Sequence, residues 1–505
     1  MKRIILASLL AATPVAAQQK DSEATPVDLS GKSLDELIEI VSDTKEWWSK
    51  PCSMGTPLFA ELEKHRPGNP FINRGALLSA ALCDDLKGNY AQGLEKTRIL
   101  EKVAPDEDFS WLAFYFARRS ENAEEYLTSL RALDEQTISK IEPDSFWAGT
   151  RMVARAGLGD ELEQLYLDWY DKGLFFALHS DMEEGVAKSA LVAAVGAKRL
   201  ELAPSLLAVV RSPSSYVAML SDRRYEAIWP VIEEHAGANL ERVSAEYAEW
   251  ALARLGNAEE DRDRFSDAAH GLHFAGRYQD AIDLAQRWLD RDGALASIQE
   301  GDAWALNIQA YAYDALGRRE EADRVLDLLA EQDPEEHNWV VNFVINRASR
   351  LVGYERWEEG LAAAHLAREV TEMQGSPYAK MIVSRDHVCA LSALGRPGEI
   401  AADLEFLRTN PTESHILAAQ GLMCAGYRGE ASELLLRGLT DKTYRSDIVG
   451  QLQPQEFSLF YSPSQLPNPR ELLAENPELK AAFEAHGRIV PERFVPVAYL
   501  KRASR

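Results

Sequence analysis

Two histidines three residues apart, His270 and His273, follow Asp267 by a further three, giving a D-x-x-H-x-x-H pattern. On a helix these side chains share one face, and imidazole with carboxylate is a ligand set that a divalent metal accepts. Zinc sites need a third or fourth convergent ligand, and none is legible nearby, so the expectation is two polar histidines lining a groove, with no metal and no cofactor. Gly31-Lys32-Ser33 ends like a phosphate-binding loop, but Pro26 stands where the first glycine belongs and no strand pattern precedes it. Nucleophile elbows, H-E-x-x-H and C-x-x-C motifs and dinucleotide-binding glycine runs do not occur. Carboxylates are abundant but fall mostly on polar helix faces, as solvated charges. No catalytic residue is assigned.

The elements that carry these side chains are helices in pairs. From Ala303 to Pro334 the chain reads AWALNIQAYAYDALGRREEADRVLDLLAEQDP. Ala310 and Tyr313 precede Gly317, Ala322 and Leu326 follow it, and Pro334 stops the second helix. The scheme recurs around Gly276 (with Ala269, Tyr278, Ala281 and Trp288), Gly395 (ending at Pro411) and Gly426 (with Ala431). It recurs upstream with Ala81, Gly88, Tyr90, Gly93 and Pro105, and in a divergent copy with Ala348, Trp357 and Gly360, where Glu355 replaces the turn glycine. These segments resemble the tetratricopeptide repeat of exported bacterial proteins, whose units are stable only when stacked. The resemblance implies an all-α fold, a right-handed α-solenoid of stacked antiparallel helix pairs.

It also implies a function: a non-enzymatic scaffold that binds a peptide or protein along the concave face formed by the first helices. Carried over position by position, that face comprises Ser266, His270, His273, Asn307, Tyr311, Asp314, Asn342, Ser349, Arg385 and Gln420. The family's best-known peptide clamp grips a C-terminal carboxylate with lysines that are missing here, leaving a polar, hydrogen-bonding groove. The alternative is a cell-envelope enzyme, or an enzyme accessory, with its site in the middle region. A third reading is self-association through exposed solenoid ends.

The remaining boundaries follow from composition. Lys2-Arg3, the apolar run Ile4–Ala12 and Val15-Ala16-Ala17 predict a signal peptide over 1–17, hence export, to a periplasm. Residues 18–32 read as a flexible leader, 33–105 as N-terminal cap helices and the first repeat, 106–256 as degenerate repeats and 257–440 as the clearest repeats. Residues 441–505 read as a Pro-interrupted cap and basic tail. Ser33 with Glu36 predicts a capping box opening the first helix. Arg211 to Pro230 carries breakers and a short motif resembling turn-and-helix elements of bacterial repeat proteins. A net charge of -25 opposes nucleic-acid binding, and no mature segment is long and apolar enough to span a membrane. The basic residues Arg488, Arg493, Lys501, Arg502 and Arg505 read as a frayed tail. Cys52 and Cys83, and Cys389 and Cys424, lie about one repeat apart, which predicts two disulfides; four buried thiols are the competing reading.

Overall fold

The computed structural model describes residues 21, 24–42, 44–256, 262–459 and 464–503. The expected signal peptide lies outside the described residues, as does Arg505. Among the described residues the fold is all-helical, with 76% helix and no strand. No described helix is long and apolar enough to cross a membrane.

The chain divides into two compact units, 1–193 and 194–505. The longer helices of the first are α1 (Leu34–Ser42), α2 (Thr56–His65), α3 (Pro70–Leu86), α4 (Tyr90–Val103), α5 (Ser110–Arg119), α6 (Ala123–Ala132), α7 (Pro143–Arg155) and α8 (Gly159–Asp171). The division falls inside α9 (Ser180–Gly196). In the second unit come α10 (Pro213–Ser221), α11 (Trp229–Ala236), α12 (Glu241–Leu255), α13 (Arg262–Phe274), α14 (Tyr278–Leu289), α15 (Glu300–Ala315) and α16 (Arg319–Ala330). They are followed by α17 (Val340–Gly353), α18 (Trp357–Gln374), α19 (Pro377–Ala393), α20 (Ala401–Thr409), α21 (His415–Cys424), α22 (Arg428–Thr440), α23 (Arg445–Gln451), α24 (Pro477–His486) and α25 (Val497–Ala503).

One turn builds most of the hairpins. At the end of α15, Gly317 takes φ 75°, its N–H donates to Asp314 O, and Arg318 N–H donates back to Tyr313 O at 2.9 Å. This double bond satisfies carbonyls that the helix end would leave bare, and it requires a left-handed residue, which glycine adopts without strain. The same pair of bonds closes the turns at Gly88, Gly157, Gly276, Gly395 and Gly426. Glu121, Lys198 and Glu355 make it too, at φ 54°, 60° and 59°. Two of these three lie in the stretch read as degenerate, so there the turn persists although its glycine does not.

Small residues set how closely the hairpin helices approach. Ala281, Ala322 and Ala431 are wholly buried in the second helices α14, α16 and α22. A Cβ at Gly93 on α4 would stand 2.3 Å from the Phe116 ring of α5, so this contact tolerates no side chain. The Ser33–Glu36 capping box is formed, Ser33 N–H donating to Glu36 Oε2 at 2.8 Å and Glu36 N–H to Ser33 Oγ at 3.4 Å. Cys52 is bonded to Cys83 in the first unit, and Cys389 of α19 to Cys424 of α21 in the second.

Candidate functional site

In the second unit the first helices of successive hairpins, α13, α15, α17, α19 and α21, follow one another, and polar positions on the later ones form a connected row. Ser349 Oγ donates to Asp386 Oδ2 at 2.6 Å and accepts from Arg385 Nη2 at 3.2 Å. Arg385 Nε lies 2.7 Å from Asp386 Oδ1, and its Nη1 reaches Gln420 Oε1 at 2.5 Å. Three of the ten expected groove residues thus share one network, pinned by Asp386. That carboxylate is fully buried, and burial raises its pKa while Arg385 and Ser349 oppose the rise. Asp386 was missing from the expected set, although Ser349 lies about one repeat length before it in sequence.

The other expected residues go elsewhere. His270 directs Nδ1 at Ser266 O, 2.9 Å away, and burial holds its imidazole below the usual range. His273, 1% exposed, directs Nε2 at Leu459 O at 3.1 Å; since a carbonyl only accepts, Nε2 carries the hydrogen. The two rings therefore do not converge, and Asp267 faces Arg254 instead. Among the described residues no group of three or more His, Cys, Asp or Glu is placed to hold a metal. Asn307 is buried and accepts from Asn346 Nδ2 at 3.2 Å, while Tyr311 is buried beside the His273 ring. Asn342 is half-buried on α17. Asp314 is not available to a partner at all: both its oxygens accept from Arg350, at 2.6 and 2.7 Å, and its carboxylate is 0% exposed. Arg350 also binds Asp323, which is shared with Arg356.

The chain's own C-terminal segment bonds to these first helices at three points. Gln420 Nε2 donates to Pro467 O at 3.0 Å, Gln465 N–H to Gly353 O at 2.9 Å, and His273 to Leu459 O. Leu459 is buried in the core shared by α12 to α19, and Leu466 in the core formed by α18 to α24. The segment's described residues meet α13 at Leu459, α17 at Gln465 and α21 at Pro467 through two backbone carbonyls and one N–H, groups that any bound peptide also offers.

Beyond it the chain crosses to the start of the same unit. Arg488 N–H donates to Ser221 O, and Arg488 Nε to Leu220 O at 2.7 Å. The Arg488 guanidinium lies 3.5 Å over the Trp229 ring, and Arg488 and Arg493 converge on Glu233 at 2.9 and 2.7 Å. Tyr278 Oη donates to Ala498 O, and Lys501 Nζ to Ala275 O. The expectation of a frayed basic tail is therefore corrected for Arg488, Arg493 and Lys501, whose charges are latches. Nothing in the local spacing of these cations signalled partners 226 to 268 residues upstream.

No family model matches the chain, and no curated protein is detectably similar to it.

Proposed function

We propose that this chain is a non-enzymatic interaction scaffold, a right-handed solenoid of tetratricopeptide-type hairpins exported to a periplasm, whose first-helix row grips extended polypeptide. The observation that carries the proposal is the row's present occupant. His273, Gln420 and the Gly353 carbonyl hold the backbone at Leu459, Pro467 and Gln465, and backbone groups are common to every peptide. A protein partner gains the groove by exchanging with this segment, so affinity is set against an internal competitor. Two cysteine pairs within bonding distance suit an oxidising compartment. A net charge of -25 keeps nucleic acid off the list of partners.

The test compares three forms of the chain in crosslinked capture from an envelope extract: unaltered, Leu459→Asp/Leu466→Asp to loosen the segment, and the latter with Arg385→Ala/Gln420→Ala. The expected result is a discrete protein enriched by the loosened form and lost again when the row is removed. Identical capture by all three forms overturns the proposal.

A further inference from the structure

The breaker-rich stretch from Arg211 to Pro230 takes no part in the groove, yet it forms one wall of a half-open cleft of about 220 Å³. Asp222, Arg223 and Arg224, which follow α10, line it from one side, Arg445 and Ser446 at the start of α23 from a second, and His486 at the end of α24 from a third. Asp222 does not make the cleft acidic. Its Oδ2 is bound by Arg224 Nε at 3.0 Å and Nη2 at 2.9 Å, and its Oδ1 accepts Arg224 N–H at 2.8 Å, so the carboxylate is consumed in orienting that guanidinium. Arg223 bonds Glu226 through Nη1 and Glu484 O through Nε, both at 2.6 Å. Arg445, Ser446 and His486 are half-buried, and none of their side chains has a hydrogen-bond or ion-pair partner among the described residues. With Asp222 bound by Arg224 and Glu226 by Arg223, Arg445 brings a further positive charge to the cleft of a chain of net charge -25.

We propose that this cleft is a binding site for a small oxyanion of phosphate type, held by Arg445 and Ser446 beside Arg223, with His486 as a further donor. Guanidinium and hydroxyl donors together match tetrahedral oxyanions. The volume falls below the roughly 300–1,000 Å³ of pockets for drug-sized ligands and suits inorganic phosphate or a short phosphomonoester. Burial and Arg445 hold the His486 pKa down, with Asp222 opposing; an anion between the ring and Arg445 relieves that repulsion. This site is separate from the groove and stands whether or not the groove binds a partner.

The experiment is calorimetric titration of the intact chain with sodium phosphate at low, chloride-matched ionic strength, where screening is weakest. The expected result is saturable 1:1 binding, weakened at least tenfold, or about 1.4 kcal/mol, by Arg445→Gln and measurably by Ser446→Ala. Arg408→Gln, which removes a cation outside the cleft that is already paired with Glu430, leaves the affinity unchanged. Melting curves without phosphate establish that each variant is folded; should Arg445→Gln fail that check, His486→Gln with Ser446→Ala carries the test. Glycerol 3-phosphate binding as tightly as phosphate supports the same site accepting a monoester. Absence of saturable binding by the unaltered chain, or equal affinity in folded variants of the cleft, overturns the proposal.

Discussion

Replacing Arg350 by Met tests the reasoning about the buried polar row most sharply. Arg350 is buried and makes both bonds that satisfy Asp314, whose carboxylate is 0% exposed. Its second carboxylate, Asp323, keeps Arg356 after the change, and the Arg319 carbonyl that also accepts from Arg350 is uncharged, so the orphaned charge is Asp314 alone. Removing one member of a buried pair typically destabilises by about 3–5 kcal/mol, because a charge stays behind without compensation. Met fills most of the aliphatic volume, which keeps a cavity from adding to that figure. The assay is peptide-resolved hydrogen exchange over α17, which reads local opening and is insensitive to the other unit. Protection there is expected to fall by about two to three orders of magnitude, since each factor of ten is about 1.4 kcal/mol. Adding Asp314→Leu removes the orphaned charge and is expected to restore most of the loss. A single substitution costing under about 1 kcal/mol, or a double substitution no better than the single, would refute the claim that Asp314 is a structural residue rather than a groove residue.

Three further outcomes follow from other features. Glu355 is exposed and holds φ 59°; Glu355→Gly relieves about 1–2 kcal/mol of left-handed strain against about 0.5–1 kcal/mol of added chain entropy, so a small rise in melting temperature is expected and a fall counts against the turn assignment. Burial, then Arg368, pushes the His387 pKa down to about 4 from 6.5. The folded state therefore keeps His387 neutral, the unfolded chain takes up the proton first, and stability is lost as pH falls from about 6.5 to 4. His387→Gln is expected to flatten that slope in pH-dependent melting, and an unchanged slope removes His387 as its source. Denatured but unreduced protein is expected to yield no alkylatable thiol, with peptides joined at 52–83 and 389–424 by mass spectrometry; four alkylated cysteines contradict this. By the loop-entropy account each bond, closing a separation of 31 or 35 residues, is worth about 3–4 kcal/mol.

Helical hairpins were legible because their signals are local. Gly88, Gly276, Gly317, Gly395 and Gly426 mark a turn whose geometry glycine suits, and the buried alanines mark close approach. The middle stretch faded because Glu121 and Lys198 make the same turn against their own preference, relying on the double backbone bond. The expected groove positions came from carrying the repeat register over onto the first helices. Whether such a residue meets a partner, a neighbour or the chain's own tail is decided by tertiary placement: Asp314 and Ser349 look alike in sequence and end in different networks. The C-terminal stretch was read as a cap, but which helices it meets was not legible, for a related reason. Pro463, Pro467 and Pro469 break any period, and an extended segment bound through its carbonyls carries no side-chain code.

The tail latches bear on the order in which the second unit assembles. Hairpin contacts join residues tens of positions apart, whereas the latches of Arg488, Arg493 and Lys501 span 226 to 268 positions. Closing 268 residues costs about 1.8 kcal/mol more in chain entropy than closing 35, and such long-range contacts form late. The hairpins are thus expected to stand first with the row open and Trp229 uncovered, until the C-terminal segment arrives. On the proposed scaffold function, a chain still being synthesised holds that open form throughout, so the interval before the C-terminus is released is when a competitor would meet an unoccupied groove.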